Sequence, residues 1–331
     1  MKTSYRIGLV TCAAKKLRDY FPTLTEPDVV PREPPFTPDD QLVVDALRQR
    51  GHTVRPVVWG TTVEKLAEEF DCLVVRSPWD YMDTVEQRQR FAAWLTALDR
   101  CGLYVENHPR LMSWLIDKRY LLDLEAAGVP IVPTEWIAAG GHFDVAAEFD
   151  ARGPLVIKPA LSAAGVGLVH VPSREVASGR QQEIRSLCQR EAYLIQTFLP
   201  EIEREGEWSL VYIGGDYSHA AHKMPGTGSI LVHAEQGGSL RFAEPPVEVK
   251  KLADQVIRCL PAAYRQRHKE GDEAVRVPPL YLRIDVIPTA TGCVVSECEG
   301  VEPELFFRAR RGSEVLFCRH LQDRLASCAD S

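Results

Sequence analysis

The sequence lacks several patterns, and each absence argues against one class of protein. No run of about 18 consecutive apolar residues occurs, so the sequence predicts no membrane-spanning helix. The nine cysteines include no C-x-x-C pair, which argues against both a zinc site and a disulfide framework. The net charge is −7 without a long basic run, whereas a nucleic-acid partner requires a basic surface. These features predict a globular protein of a reducing compartment, which we expect in the cytoplasm.

The usual phosphate-binding motifs are also absent. The sequence contains no G-x-x-x-x-G-K-S/T, and no G-x-G-x-x-G follows the first predicted strand. A nucleotide site in this chain must be built from other residues.

The short apolar run near the amino terminus is followed at once by Lys15, Lys16 and Arg18. This run therefore predicts a buried strand over residues 7–10 rather than a signal peptide.

The order of the predicted elements indicates an α/β protein. Strands alternate with helices up to residue 106, which is typical of a parallel sheet covered on both faces. Ligands of such sheets lie beyond the carboxyl ends of the strands. The segment SPWDY follows a predicted strand there, and the proline-rich residues 19–38 form a long loop that we expect to shape the same pocket. We predict substrate contacts from Ser77, Trp79, Asp80 and Tyr81. The alternative is a packed turn, because Trp and Tyr are often core residues.

Residues 281–307 predict two strands joined by a turn. Arg283 and Asp285 are two positions apart and share a face, as do Glu297 and Glu299. If the strands pair, three carboxylates and a guanidinium meet on one patch. Like charges need a cation among them, and Mg²⁺ is usually bound by a few carboxylates together with substrate phosphates. The alternative is a solvated strand face on which Arg283 is only the ion-pair partner of Asp285.

Two further segments indicate phosphate binding. The strand LVIKP ends in Lys158 and is followed by SAAGVG, whose small side chains let backbone N–H groups approach phosphate oxygens. Such a segment alone is often only a turn, and the lysine strengthens the interpretation. A glycine-rich stretch over residues 224–238 follows Lys223 and predicts a mobile closure over a site. The alternative for this stretch is a disordered surface loop.

Several of these segments, taken in order, resemble the ATP-grasp superfamily. LVIKP, the small-residue segment, LIQTFL, R-I-D and E-C-E occur in the order typical of that superfamily, over about residues 110–310. More narrowly, R-S-P-W-D-Y, S-W-L-I-D-K-R-Y-L, G-E-W-S-L, S-H-A-A-H-K and the Q-G-G segment resemble the O-ureido-serine cyclo-ligase type of cycloserine biosynthesis and its relatives. Five separated elements make the match to the superfamily specific, whereas the match to a particular substrate is not.

The resemblance implies an α/β architecture with two parts. An ATP-grasp fold, in which two α+β subdomains clamp ATP, would follow an amino-terminal parallel-sheet domain. The expected boundaries are residues 1–114 for the amino-terminal domain with its substrate loops, 115–195 for the lid subdomain and 196–331 for the carboxy-terminal subdomain with the metal site. The resemblance is also compatible with a homodimer formed through the first domain.

The resemblance further implies roles for individual residues. Lys118 and Lys158 would hold the α- and β-phosphates of ATP, Lys223 would face the transferred phosphate, and Arg283 would neutralise an oxyanion. The expected lid residues are Ser162, Ala163, Ala164, Gly165 and Gly167. The expected adenine contacts are Gln196 and the backbone around Leu199, and the expected ribose ligand is Glu207, with Glu203 as the alternative.

Metal binding is implied at three carboxylates. Asp285, Glu297 and Glu299 would bind Mg²⁺, with two ions expected and Mn²⁺ as an acceptable replacement. The third position is often Asn in the superfamily, so Glu299 is a departure that keeps an oxygen ligand.

The implied activity is that of an ATP-dependent carboxylate–amine ligase in specialised metabolism such as antibiotic biosynthesis. Phosphorylation turns the carboxylate of a small amino-acid-like substrate into an acyl phosphate, which a nitrogen nucleophile attacks within the same molecule, as in a cyclo-ligase, or from a second one, as in a dipeptide-type ligase. The alternatives are a small-molecule kinase on the same fold and a non-catalytic nucleotide-binding protein. We expect no nucleic-acid or membrane partner.

Overall fold

A computed structural model describes residues 4–20, 35–162, 165–232, 237–268 and 278–329. Most of the predicted loop over residues 19–38 lies outside these ranges, as do the predicted lid residues Ala163 and Ala164 and part of the stretch over 224–238. Within the described ranges, none of the helices has the length and apolar character needed to cross a membrane.

The amino-terminal unit is a parallel four-stranded sheet with the strand order β2-β1-β3-β4. The central strand β3 is buried along its whole length, as expected for a strand covered on both faces. The strands are β1 (Arg6–Thr11), β2 (Thr53–Val58), β3 (Cys72–Ser77) and β4 (Tyr104–Glu106). The helices are α1 (Ala14–Tyr20), α2 (Pro38–Gln49), α3 (Val63–Glu69) and α4 (Val85–Arg100), and a short 3-10 helix spans Trp79–Met82.

Two short helices, α5 (Pro109–Leu115) and α6 (Tyr120–Ala126), follow the first sheet. The sequence predicts a longer helix through this region with Lys118 near its start, and that prediction is wrong, because Lys118 lies in the turn between α5 and α6. The backbone N–H of Lys118 donates to the carbonyl of Ala160 at 2.9 Å instead of to a helical partner. A contact between distant segments therefore interrupts the helix.

The middle unit is an antiparallel four-stranded sheet with the order β5-β8-β6-β7. Its strands are β5 (Thr134–Ile137), β6 (Leu155–Pro159), β7 (Val169–Val171) and β8 (Tyr193–Thr197), and its helices are α7 (Val145–Arg152), α8 (Arg174–Gly179) and α9 (Gln181–Cys188). The helices pack on one face around a small apolar core, which leaves the opposite face toward the third unit. Strand β8 pairs entirely within this sheet and crosses the predicted boundary after residue 195.

The third unit is an antiparallel five-stranded sheet with the order β11-β10-β9-β12-β13. The predicted pairing within residues 281–307 is confirmed, since Arg283 lies opposite Glu299 and Asp285 lies opposite Glu297. A short helix begins at Glu201, and the long helix that begins at Val247 continues through Pro261. The elements are α10 (Glu201–Glu205), β9 (Glu207–Ile213), β10 (Asp216–Met224), β11 (Ser239–Phe242), α11 (Val247–Arg265), β12 (Tyr281–Thr289), β13 (Gly292–Glu299) and α12 (Ser313–Ala329).

The buried side chain of Asn107 connects the first sheet to the third. Its amide nitrogen donates to the carbonyls of Tyr281 and Gly300, each at 2.8 Å, and its amide oxygen accepts from the N–H of Leu280 at 2.7 Å. The end of β4 is thereby attached to the start of β12 and to the residue that follows β13. A single side chain thus satisfies three buried backbone groups, and its amide oxygen also accepts a longer hydrogen bond, at 3.4 Å, from the N–H of Tyr281.

We expect Asn107→Ala to lower the free energy of unfolding by about 2 to 4 kcal/mol, because three buried backbone groups lose their hydrogen-bond partners. The midpoint of urea unfolding, followed by circular dichroism, measures this loss. The control is Gln89→Ala, which removes an exposed amide on α4 and should change stability by less than about 0.5 kcal/mol. Equal midpoints for the two variants would contradict the role of Asn107.

Candidate active site

A cleft between the second and third sheets contains most of the predicted site residues. It contains about 970 Å³ of empty space, and this figure includes the part of the cleft that is open to solvent. The predicted residues that line the cleft are Lys118, Lys158, Ser162, Gly165, Gln196, Leu199, Glu207, Lys223, Arg283, Asp285, Glu297 and Glu299. Side chains separated by up to 181 positions in the chain (299 minus 118) therefore meet in one place.

Strand register places the acidic side chains on one face of the third sheet. Asp285 on β12 lies opposite Glu297 on β13 and opposite Ser209 on β9. Residues directly opposite each other in antiparallel strands point to the same face. The hydroxyl of Ser209 donates to Oδ1 of Asp285 at 2.6 Å, which fixes the orientation of that carboxylate. Asp285 and Glu297 therefore lie on the same face of the sheet, as the alternation along the two strands predicts.

Two lysines from outside the third sheet neutralise Glu297. Nζ of Lys158 lies 2.9 Å from Oε1 of Glu297, and Nζ of Lys118 lies 4.0 Å from the same oxygen. Lys118 also donates to the carbonyl of Ser162, at the start of the predicted lid. Burial alone would raise the pKa of Glu297, but the charges of Lys118 and Lys158 lower it well below its ordinary value. Glu297 is therefore an anion bound by two cations, one from strand β6 and one from the turn between α5 and α6.

Arg283 and Lys223 neutralise the remaining carboxylates. Nη2 of Arg283 lies 2.9 Å from Oδ2 of Asp285 and 2.5 Å from Oε1 of Glu299. Nζ of Lys223 lies 3.2 Å from Oε1 of Glu207 and 3.5 Å from Oδ2 of Asp285. Burial would raise the pKa of Asp285, and the charges of Arg283 and Lys223 reverse that effect and lower it.

The pKa of Glu299 is shifted in the opposite direction from the pKa values of Asp285 and Glu297. Burial raises the pKa of Glu299 to about 8, and the charges of Asp285 and Glu297 add to this shift while Arg283 opposes it. Its side chain is 30% exposed, so solvent in the cleft weakens these effects. An additional positive charge among the three carboxylates would favour the ionised form of Glu299.

The oxygens of Asp285, Glu297 and Glu299 are of the type that binds a hard cation such as Mg²⁺, but in this structure they are paired with basic side chains. In the part of the chain that the structure describes, no group of three His, Cys, Asp or Glu side chains has the arrangement of a metal site. Lys158 and Arg283 contact the same oxygens that a divalent ion would use. Metal binding by Asp285, Glu297 and Glu299 therefore stays a prediction, in which the ion competes with these two side chains.

The other half of the cleft is apolar, and the sequence did not indicate it. Gln196 lies in this half, where its amide nitrogen donates to the hydroxyl of Thr134 at 2.8 Å. The apolar lining residues come from both sheets and from their connections: Val132, Val156, Leu168, Phe198, Ile202, Ile230, Leu231, Val232 and Ile287. Alternation along a single strand predicts which residues are buried, but it does not distinguish a ligand cleft from a core.

The predicted lid and the predicted closing loop approach each other over the cleft. Ser162 donates its hydroxyl to the carbonyl of Pro159 at 3.0 Å. Gly165 has φ +71°, and a Cβ atom there would lie 3.0 Å from Cδ2 of Leu231. Gly167 packs against Pro159 instead of lining the cleft. Of the two predicted ribose ligands, Glu207 lines the cleft, whereas Glu203 lies on α10.

The four predicted substrate residues lie at the carboxyl edge of the first sheet and contact protein groups. Ser77 donates its hydroxyl to Oδ2 of Asp40 at 3.1 Å. Asp80 accepts hydrogen bonds from the indole of Trp59 and, at 3.4 Å, from the N–H of Ala13.

Trp79 and Tyr81 bind a residue that sequence reasoning missed. Trp79 donates its indole N–H to the carbonyl of Glu302 at 3.1 Å, and the hydroxyl of Tyr81 donates to Oε1 of Glu302 at 2.8 Å. The available signal was the position of Glu302 just after the E-C-E segment. The predicted substrate contacts of Ser77, Trp79, Asp80 and Tyr81 stay a prediction.

Comparisons with known proteins agree with this geometry. The family model described as D-cycloserine synthetase DcsG, N-terminal domain, matches residues 7–107. The cycloserine biosynthesis protein DcsG of Streptomyces lavendulae is 27% identical over 298 residues, which cover 88% of this chain and 95% of that protein. The crystal structure of D-cycloserine synthetase DcsG superposes with a TM-score of 0.75 at 24% identity, covering 96% of this chain and 99% of the other.

A more distant structure decides the type of fold. An ATP-grasp RimK domain protein from Sphaerobacter thermophilus superposes with a TM-score of 0.62 at 18% identity and covers 97% of this chain and 99% of its own. This chain has the ATP-grasp fold. The predicted ATP-grasp architecture, preceded by a parallel-sheet α/β domain, is thereby confirmed. The cleft lies between the two sheets of the ATP-grasp part, and the carboxylates face it from the carboxy-terminal sheet.

We expect Lys223→Met to lower the free energy of unfolding by about 3 kcal/mol near neutral pH, because Glu207 and Asp285 lose a buried partner. The folded-state pKa of Asp285 is lowered, so its contribution to stability is present at neutral pH and is lost as the pH falls below the ordinary carboxylate range. The difference between the two proteins should therefore shrink on acidification.

Urea midpoints measured near neutral pH and near pH 2.5, which is below the ordinary pKa of an Asp carboxyl group, test this expectation. The control is Lys251→Met, whose side chain is 66% exposed. A loss that is equal at both pH values would show that Lys223 acts through packing and not through its charge.

Proposed function

We propose that this chain is an ATP-dependent ligase that activates the carboxylate of a small amino-acid-like substrate as an acyl phosphate and joins it to a nitrogen. One observation carries the proposal: a single cleft combines an apolar half with a half that contains four basic and four acidic side chains. The basic residues are Lys118, Lys158, Lys223 and Arg283, and the acidic residues are Glu207, Asp285, Glu297 and Glu299.

The two halves correspond to the two parts of a nucleotide. The apolar half suits a flat base, with Gln196 and the backbone at Leu199 at its edge. Lys118 and Lys158, which are 7% and 8% exposed, would bind the α- and β-phosphates. Glu207 would bind the ribose hydroxyls. The lid around Gly165 and the loop around Leu231 would exclude water, which an acyl phosphate requires because it hydrolyses readily.

The basic side chains of the charged half stabilise the charge that develops during transfer. Arg283 would bind the carboxyl oxygen that becomes negative during attack, and Lys223 would contact the transferred phosphoryl group. Both side chains are held by Asp285, so little reorganisation accompanies the reaction. A divalent cation bound by Asp285, Glu297 and Glu299 would supply further positive charge to the phosphate oxygens.

The similarity to DcsG over 88% of the chain supports a narrower substrate class. We propose a serine-derived acid such as O-ureido-serine, whose own nitrogen attacks the activated carboxyl group and closes a ring. Ligation between two molecules is the alternative within the same chemistry. The number of Mg²⁺ ions, replacement by Mn²⁺, a homodimer and a cytoplasmic location remain predictions from the sequence.

Product analysis tests the reaction class. The protein is incubated with ATP, Mg²⁺ and each member of a panel of amino acids that includes O-ureido-serine. We expect it to release ADP and phosphate only when a suitable amino acid is present. Added hydroxylamine should trap the acyl phosphate as a hydroxamate. A phosphorylated alcohol without hydroxamate would indicate a kinase instead, and AMP in place of ADP would indicate an acyl adenylate and overturn the mechanism.

We expect Glu297→Gln to lower turnover by about 100-fold or more, because the change removes a proposed metal ligand and the common partner of Lys118 and Lys158. ADP release measures turnover, and circular dichroism checks that the fold is intact. The matched control is Glu175→Gln, which changes an exposed carboxylate on α8. Unchanged turnover in the Glu297 variant would remove the assignment of the metal site.

A further inference from the structure

One carboxylate beside the cleft lacks the direct cation contact that the others have. Glu207, Asp285, Glu297 and Glu299 each lie within 4.0 Å of a lysine or arginine nitrogen. Glu302 follows β13 and belongs to no ion pair among the residues that the structure describes, and its carboxylate accepts a hydrogen bond from Tyr81. The charges around the cleft are therefore balanced except at this position.

The amino-terminal domain determines where the carboxylate of Glu302 lies. Tyr81 binds its Oε1 at 2.8 Å, and Trp79 binds its backbone carbonyl at 3.1 Å. Tyr81 is itself buried, with its ring stacked on Phe91 at a centroid distance of 4.0 Å. Arg76 donates to the carbonyl of Pro303 at 3.1 Å, which attaches the next residue of the same loop. One hydrogen bond thus holds the side chain of Glu302, and two others hold the backbone of its loop.

The charges that act on Glu302 belong to the charged half of the cleft. Burial raises the pKa of Glu302, and the hydrogen bond from Tyr81 and the charges of Lys118 and Arg283 offset this only in part. Arg283 also donates to the carbonyl of Glu304 at 3.4 Å, so the loop that carries Glu302 lies against the side chain at which a substrate carboxyl group would be activated. Among the described residues, the carboxylate of Glu302 has no cation in direct contact to balance its charge. A cationic group of a ligand would supply one through a charge-assisted hydrogen bond.

We propose that Glu302 binds the ammonium group of an amino-acid substrate whose carboxyl group lies at Arg283. Trp79 and Tyr81 are then positioning residues that act through Glu302. This inference rests on the proposed function and narrows it to acids that carry an amino group close to the activated carboxyl group. The SPWDY segment would then take part in substrate recognition indirectly, because its residues Trp79 and Tyr81 hold Glu302, and Glu302 contacts the substrate.

Paired substrates test this inference. We would measure ADP release in the presence of hydroxylamine for O-ureido-serine and for 3-(ureidooxy)propanoate, which lacks only the amino group, and likewise for serine and 3-hydroxypropanoate. Glu302→Gln should lower kcat/KM for the amino acids by about 10- to 100-fold, mainly through KM, because a hydrogen bond between charged groups is lost. The same variant should change kcat/KM for the desamino acids by less than about 3-fold.

Three further variants separate binding from structure. Tyr81→Phe should give a smaller loss in the same direction, confined to the amino acids, and Glu302→Asp should restore part of the preference. Glu304→Gln is the matched control, because that carboxylate lies on the same loop and pairs with Arg308. It should leave both substrate series unchanged.

The outcomes separate this inference from the proposed function. Equal losses for amino and desamino acids in Glu302→Gln would show that Glu302 is structural, and would overturn the inference while the ligase activity stands. If the unmodified enzyme releases no ADP with either series, the proposed function fails, and the inference fails with it. A loss restricted to the amino acids supports both.

Discussion

The crowding of like charges on strands β12 and β13 is the constraint on which the site depends. Asp285 and Glu297 lie opposite each other on one face, and Glu299 lies two positions further along β13. At this depth the repulsion between carboxylates is poorly screened, so each needs a nearby positive charge. The third sheet supplies Arg283 and Lys223, strand β6 supplies Lys158, and the turn between α5 and α6 supplies Lys118.

The same constraint joins the two sheets of the ATP-grasp part. The contact between Lys158 and Glu297 crosses the cleft, so the ion pair that neutralises the carboxylate also holds the walls together. A phosphate-bearing ligand would offer the lysines new anionic partners, and a divalent cation would offer the carboxylates a new positive one. The exchange keeps the charges balanced, which lets a charged ligand enter without leaving a buried charge unpaired.

The sequence predicted the parts of the site that depend on local periodicity and on element order. Alternation along β12 and β13 placed Arg283, Asp285, Glu297 and Glu299 correctly on one face, because a strand turns successive side chains to opposite sides. The prediction of a helix around Lys118 was wrong. The turn that contains Lys118 depends on a hydrogen bond to Ala160, which is 42 positions away (160 minus 118) and which no local sequence pattern encodes.

Two features of the site could not be predicted for the same reason. The apolar half of the cleft is assembled from six separate segments of the chain, and each segment has the pattern of an ordinary core. Glu302 depends on contacts with Trp79 and Tyr81, which are more than 220 positions away in the chain. Residues whose role comes from such distant contacts carry no periodic signal.

The contacts of SPWDY change the role expected for the amino-terminal domain. Its side chains are engaged with Asp40, Trp59 and the loop after β13, so the sheet edge acts as a platform for that loop. Substrate selection would then depend on a carboxylate of the carboxy-terminal part, held in place by the amino-terminal part. A substitution at the interface between the domains would then alter substrate selectivity without changing the residues of the nucleotide cleft. Related proteins with the same ATP-grasp part could in this way act on different acid substrates. This division of labour rests on the proposed role of Glu302, and under it the hydrogen bonds that join the two domains would complete the site.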